Sequence, residues 1–361
     1  MMTPRIVAGS CDVYEMEPLK RFIAEALARF DASLNNVRVL LKPNLLVGKP
    51  AAKAVNTHPV IIEALAEILL DHRCEVFIGD SPGYESTEKA LEKSGIMNTA
   101  QKLGLKPVLF NKQIKKINNG VSPYHELVLG EDPLEYDAVI NLPKLKTHTM
   151  MGLTAGVKNT FGFIPSFEKG KWHLRCGKDK HLFAALLIDI HRAVKPALTL
   201  LDGILAMDGD GPNHGRPRHA GLIALTNDAF VLDAFLEKML AFPIATPVTD
   251  IAGRAGLLRE PELIDLGMPE IKDFRMASTM NIDFNLPSMV RGIARHVFTR
   301  KPKCITGKCK LCATCVDVCP AGALSINDKK LIFDYRKCIR CYCCQELCPA
   351  GAIVVKTNFE F

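Results

Sequence analysis

The sequence predicts an α/β fold, a mostly parallel sheet with helices on both faces, followed by a small α+β module at the C-terminus. Three observations carry that prediction. From Val37 onward, short apolar runs alternate with helical patterns, as parallel strands and their crossover helices do. The 361 residues and 48% hydrophobic content suffice for a large core and more than one folding unit. Near the C-terminus, cysteines gather in two similar runs.

The elements follow in order. Residues 37–46 (VRVLLKPNLL) read as a strand, 59–72 carry apolar residues at helical spacing, and 74–79 (CEVFIG) read as the next strand, ending at Asp80. A helix over 87–94, a strand at 107–110 and a strand at 138–142 come next, the last running into Pro143 and a basic segment. Beyond lie a helix over 181–193, strands at 198–201 and 222–225, and a helix over 230–240. Between 283 and 303 the periodicity fades and Arg291, Arg295, Arg300, Lys301 and Lys303 accumulate. The chain therefore divides into an α/β domain at 1–282, a basic linker at 283–303 and a module at 304–361.

A formal net charge of +7 suits an acidic redox partner, an anionic substrate or nucleic acid without choosing among them. Residues 1–11 lack the charged start and apolar stretch of a secretory signal. The apolar stretch 182–194 is interrupted by Asp189, His191 and Arg192 and falls short of the roughly 20 residues that span a bilayer. The expectation is a soluble, cytoplasmic protein without membrane contact. No nucleic-acid motif or interleaved aromatic pattern occurs, so no nucleic-acid partner is expected.

The cysteine runs are metal-ligand patterns. Aligning 309–326 (CKLCATCVDVCPAGALSI) with 338–355 (CIRCYCCQELCPAGAIVV) superposes four cysteines, a proline and the whole CPAGA segment, so the module is an internal duplication. An iron-sulfur cube needs four thiolates at its corners; three closely spaced cysteines supply three, and in two-cluster modules the fourth cysteine of each run crosses to the other cluster. One 4Fe-4S cluster is thus assigned to Cys309, Cys312, Cys315 and Cys348, and the other to Cys338, Cys341, Cys344 and Cys319. Pro320 and Pro349 turn the chain without leaving an unmatched N–H. The competing reading, a pair of zinc sites, would normally use separated C-x-x-C pairs. Cys304 gives a C-x4-C-x2-C spacing with Cys309 and Cys312, outweighed by the fit of both copies to the dicluster frame. Cys343 reads as a bystander, and Cys11, Cys74 and Cys176 as ordinary core or surface residues.

Within the α/β domain, Lys144, Lys146, His148 and Lys158 concentrate donors just beyond the C-terminal end of a predicted strand, where open α/β sheets place their ligand crevice. Lys42, Asn44 and Asp80 end earlier strands and fall on the same edge. Gly152, Gly156 and Gly162, with Asn159 among them, would let backbone N–H groups approach an anion. Asp202, Asp208 and Asp210 with His214 form an acidic segment that suits a hard cation, proton transfer, or simply a turn. Asp228 reads as a helix cap, and Trp172 with Lys169 and Lys171 as a surface loop. The G-x-G-x-x-G and G-x-x-x-x-G-K-[ST] phosphate motifs are absent.

Taken together, KPNLLVG (42–48), VNTHP (55–59), IGDSPG (78–83), NLPKLKTHTMMGLTAGVKNTFG (141–162) and DGDGPNHGRP (208–217) resemble the domain-of-unknown-function-362 family, often followed by a ferredoxin-like tail. That resemblance implies an α/β iron-sulfur protein. The spacing of His148, Gly152, Gly156 and Lys158 is also similar to a segment of the nickel-pincer lactate racemase family, whose sheet domain binds a nucleotide-derived cofactor and hydroxy acid. The expected function is an oxidoreductase. Two 4Fe-4S clusters would carry electrons from a redox partner, a ferredoxin, flavoprotein or reductase, to an anionic substrate. Lys144, Lys146, His148 and Lys158 would be catalytic there, while Lys42, Asn44, Asp80, Gly156, Asn159 and Asp208 would hold substrate or a further organic or metal cofactor. The alternative is an electron carrier or assembly factor whose α/β domain binds a protein.

Overall fold

A computed structural model describes residues 3–31, 33–280 and 299–357. Two elements precede the predicted ones: β1 (Arg5–Ser10) and α1 (Met16–Leu27). Helix α1 buries Leu19, Phe22, Ile23 and Ala26, the i, i+3, i+4, i+7 stripe of an amphipathic helix. Then come β2 (Arg38–Pro43), α2 (Pro59–Asp71), β3 (Glu75–Gly79), α3 (Thr87–Ser94), α4 (Ile96–Leu103) and β4 (Lys106–Val108). A hairpin, β5 (Ile114–Ile117) and β6 (Glu126–Leu129), leads to β7 (Ala138–Leu142), β8 (Lys144–His148), β9 (Gly152–Thr154), α5 (Gly156–Asn159), α6 (Ser166–Cys176) and α7 (Lys180–Val194). The domain closes with β10 (Leu198–Asp208), β11 (Arg216–Thr226), α8 (Ala229–Met239), α9 (Pro247–Arg254) and β12 (Glu262–Leu266).

Apart from the separate β5–β6 hairpin, these strands form one sheet in the order β12-β1-β11-β10-β7-β2-β3-β4, with β8 joining β10 and β9 joining β8. From β10 through β7, β2 and β3 to β4 every pairing is parallel, whereas β11 is antiparallel to both its neighbours. Side-chain alternation divides the core by face. Val7, Val39, Leu41 and Leu200 pack with α1, α2 and α4 on one side. On the other, Leu40 and Val139 meet α6 and α7, and Ile6, Ala8 and Leu201 meet α8. The mostly parallel sheet with helices on both faces is therefore present as expected.

Three local readings need correction. The basic segment after Pro143, given no element from the sequence, is strand β8, its five residues all buried; its lysines broke the apolar pattern by which a buried strand is recognised. The stretch around Trp172 is helix α6, and Trp172 is only 1% exposed, edge-on to Tyr124 at 5.1 Å. Strands β10 and β11 run well past their apolar stretches, with a register shift between Gly203 and Leu205.

The C-terminal module contains two antiparallel pairs, β13 (Lys301–Cys304) with β16 (Ile353–Lys356) and β14 (Leu324–Asn327) with β15 (Lys330–Phe333), plus helical turns Thr314–Asp317 and Cys343–Glu346. Most of the predicted linker, 283–298, lies outside the described residues, and its final residues, 301–303, belong to β13. The module sits on the α/β domain: Gln345 Nε2 donates to the Asp210 carbonyl at 3.0 Å, Asn213 Nδ2 to the Glu346 carbonyl at 2.5 Å, and Leu347 fills the space beside Gly83.

Candidate functional site

Burying an ammonium group is costly unless an acceptor comes with it. The sheet edge shows how each lysine meets that demand. Lys42, fully buried on β2, pairs with Asp80 at the end of β3 (2.8 Å) and donates to the Pro43 carbonyl at 2.9 Å. Asp80 also accepts the amides of Leu45 and Ser81, each at 2.8 Å, and a side chain at Gly162 would collide with its carboxylate. Lys144 donates to Asp202 and to the Tyr14 hydroxyl, both at 2.8 Å; Tyr14 in turn donates to Asp202 at 2.7 Å, and the His58 amide completes the carboxylate at 2.8 Å. Among the described residues Lys146 has only the Val55 carbonyl, at 2.6 Å, and burial drives its pKa well below the ordinary lysine range.

His148 Nδ1 accepts the amides of Met150 and Met151 at 3.0 and 3.3 Å, which leaves the proton of the neutral ring on Nε2. Burial, then the nearby Lys158 and Lys146, hold the ring far below its usual pKa and so uncharged. Nε2 lies 3.1 Å from Oε1 of Glu346, out of line for a hydrogen bond, and Glu346 comes from the C-terminal module.

Other predicted binders are engaged elsewhere. The Gly156 and Val157 amides, read as anion donors, bind the protein's own Asp233 at 2.7 and 3.1 Å; burial pushes that carboxyl up to about 8. Asp208 is fully buried and clamped by Arg216 at 2.8 and 3.1 Å and by Arg218 at 3.4 Å, while Asp210 accepts the Ser278 amide at 2.7 Å. These guanidinium contacts take the place a cation would need. Asp228 caps α8.

Between domain and module lies a cavity of about 410 Å³. Of the predicted residues, Asn44, Asp80, His148, Lys158 and Asn159 line it; Lys42, Lys144, Lys146, Gly156 and Asp208 do not. The sequence reading missed Lys169 and His173, both on α6, and the module's Cys343 and Glu346, which also line it. Lys169 donates to the Ser81 and Pro82 carbonyls, with no carboxylate partner, and crowding by protein lowers its pKa to about 7 despite partial surface exposure. Lys158 has no hydrogen bond or ion pair among the described residues; its ammonium stands 5.9 Å from the Phe161 ring centre. Burial raises the Glu346 pKa against the pull of Lys158 and Lys146, and lowers that of His173 to about 3.

In the module, Cys309, Cys312, Cys315 and Cys348 surround one small cavity whose remaining lining is largely apolar, including Ile326 and Leu331. Burial, and then Cys341, Cys338, Cys319 and Cys315 around it, push the Cys344 thiol well above its ordinary pKa, which places the second cysteine set together. The duplicated loops match in detail: the Ala323 amide donates to Cys319 Sγ at 3.2 Å, and the Ala352 amide to Cys348 Sγ at 3.3 Å. Donors aimed at sulfur suit thiolates bound to a cluster.

Two outcomes follow from this geometry. Lys144→Met leaves a buried carboxylate without its cation and should destabilise the domain by about 3–5 kcal/mol in urea unfolding, a loss below about 1 kcal/mol showing the pair to be dispensable. Lys169 is cationic below about pH 7 and neutral above it. Binding of a small carboxylate should therefore weaken as pH rises through that value, with bound anion moving the midpoint upward. Titration calorimetry across the range should show this slope in the native protein and a flatter one in Lys169→Met.

Comparison with known proteins gives the family and the module. Residues 39–236 match the family model described as a domain of unknown function (DUF362), and residues 308–352 match a 4Fe-4S dicluster domain. Thylakoid-associated protein sll1697 of Synechocystis sp. (strain ATCC 27184 / PCC 6803 / Kazusa) is 34% identical over 271 residues, covering 73% of this chain and 84% of that protein. Among solved structures, the lactate racemase apoprotein from Thermoanaerobacterium thermosaccharolyticum aligns with 56% of this chain and 51% of its own, at 11% identity and a TM-score of 0.36. The chain belongs to the DUF362 family and is an iron-sulfur protein with a C-terminal 4Fe-4S dicluster domain.

Proposed function

We propose that the protein is an iron-sulfur oxidoreductase that passes electrons from a partner protein to an anionic organic substrate held in the cavity between its two parts. One observation carries this reading: the cavity that presents the unpaired Lys158 is walled on its other side by the dicluster module, through Cys343, Glu346, Leu347 and Pro320. A substrate there lies beside the segments that bear the cluster ligands. Two 4Fe-4S clusters held by the crossed cysteine sets would supply electrons singly. The chain's own residues do the rest: Lys158 and Lys169 draw in the anion, and His148 carries a proton on Nε2 at the cavity wall.

Among the described cysteines, Cys312 is the exposed one, and Lys308, Lys310 and Leu311 beside it are exposed as well. We place electron entry there, from an acidic carrier such as a ferredoxin, flavoprotein or reductase. Clusters of this kind suit a reducing interior such as the cytoplasm, and no helix among the described residues is long and apolar enough to cross a membrane. A second reading has its own support. Tyr84, Phe167 and Leu174 stand at the cavity about half exposed (52%, 53% and 49%), as they would if a protein partner covered it and the chain served as an electron carrier or assembly factor.

Anaerobic reoxidation decides between them. Chemically reduced protein mixed with a panel of organic acids should be reoxidised by at least one, with Lys158→Ala and His148→Ala slowing that step at least about tenfold while the cluster absorption is unchanged. Reoxidation by none of the panel, or variants that react like the native protein, would move the function to the carrier reading.

A further inference from the structure

The cavity is unfinished as a hydrogen-bonding site. Thr154 Oγ1, Asn159 Oδ1, His173 Nδ1 and Glu346 Oε1 are buried without a partner, and so is Asn44 Oδ1; all five residues line this one cavity. The first four residues are themselves at least nine-tenths buried, at 3%, 3%, 8% and 8% exposure. An unmatched buried polar atom is costly, and most native ones are satisfied. Here they cluster where two lysines also lack a carboxylate.

The orphans have a chemical sense. Asn159 spends its amide hydrogens on the Asn141 side chain at 2.8 Å and on the Lys42 and Pro43 carbonyls at 3.4 and 3.5 Å, so its oxygen can only accept. Glu346 Oε1 and Asn44 Oδ1 are acceptors too. A bare carboxylate would satisfy the lysines and leave these oxygens facing its own lone pairs. Phosphate fares worse, since no arginine lines the cavity and Asp80 and Glu346 oppose a second negative charge. Phe161, Phe167, Leu174 and Leu347 leave room for an apolar body.

We infer that the cavity takes a small organic acid that brings hydrogen-bond donors of its own, a hydroxy or amino acid with an apolar side chain. Its carboxylate lies toward Lys158 and Lys169, and its O–H or N–H hydrogens meet the unmatched oxygens. This deepens the oxidoreductase reading by naming its substrate class, yet binding requires no electron transfer and can be measured without it.

The test uses the full, cluster-loaded protein in its oxidised state and titration calorimetry with four probes: 3-phenylpropionate, 3-phenyllactate, phenylalanine and inorganic phosphate. At least one of the two donor-bearing acids should bind at least about tenfold more tightly than 3-phenylpropionate, because the donor relieves unmatched atoms. Lys158→Met should abolish that binding, and Asn44→Ala should narrow the preference for donors, each variant being checked by thermal melting and cluster absorption. Equal or tighter binding of 3-phenylpropionate or phosphate, binding indifferent to Lys158→Met, or binding of none of the acids would overturn the inference. If donor-bearing acids bind but never reoxidise the reduced clusters, the electron-relay reading fails and this one stands.

Discussion

The need to give every buried ammonium group an acceptor governs the functional end of this molecule. Lys42, near the end of β2, and Lys144 and Lys146, both on β8, lie fully or almost fully buried. Left unmatched, each would oppose folding by several kcal/mol. Asp80 and Asp202 answer two of them, each held in turn by further donors, and a backbone carbonyl answers the third. What remains is Lys158, set just past the strands on α5, with no counterpart among the described residues. The site follows from that surplus: a cation the domain does not neutralise, facing a module that supplies Glu346.

The same constraint separates structural from functional charge. A lysine in a bidentate arrangement with a buried aspartate and a tyrosine, as Lys144 is, has its ammonium fixed and its charge spent. Lys158 and Lys169 have no such arrangement among the described residues, and their pKa values are lowered because burial outweighs the pull of Glu346 on Lys158 and of Asp80 on Lys169. Chemistry aimed at an anion belongs to the second kind. The position of the dicluster module reinforces the distinction, because it covers the uncompensated lysines and leaves the compensated ones in the domain interior.

Much of this was legible in the sequence, and the exceptions have physical causes. The alternation from 37 to 94 placed β2, α2, β3 and α3 within a residue or a few of their ends, and the duplicated cysteine runs pointed directly to the dicluster domain that comparison identified. Strand β8 was missed because its lysines and histidine are buried by pairing and not by apolarity, which no hydropathy pattern reports. Spacing likewise brought His148 and Lys158 forward together, yet could not tell that Lys144 and Lys146, on the same strand as His148, would not be among the residues lining the cavity. Helix α6 hid behind its lysines, so Lys169 and His173 were passed over, although Trp172 at the centre of a polar helical face was the available signal. Glu346 was beyond any local reading, since its role arises from a contact 198 residues away from His148 in sequence.

Anaerobic crystals of the cluster-loaded protein, with diffraction recorded at the iron edge, test the central claim most directly. The account requires two iron-sulfur clusters, one on Cys309, Cys312, Cys315 and Cys348 and the other on Cys338, Cys341, Cys344 and Cys319, with the module seated so that Glu346 faces His148 and Lys158 across an open cavity. A single metal site, ligands taken from one run only, or a module docked away from Lys158 would contradict it.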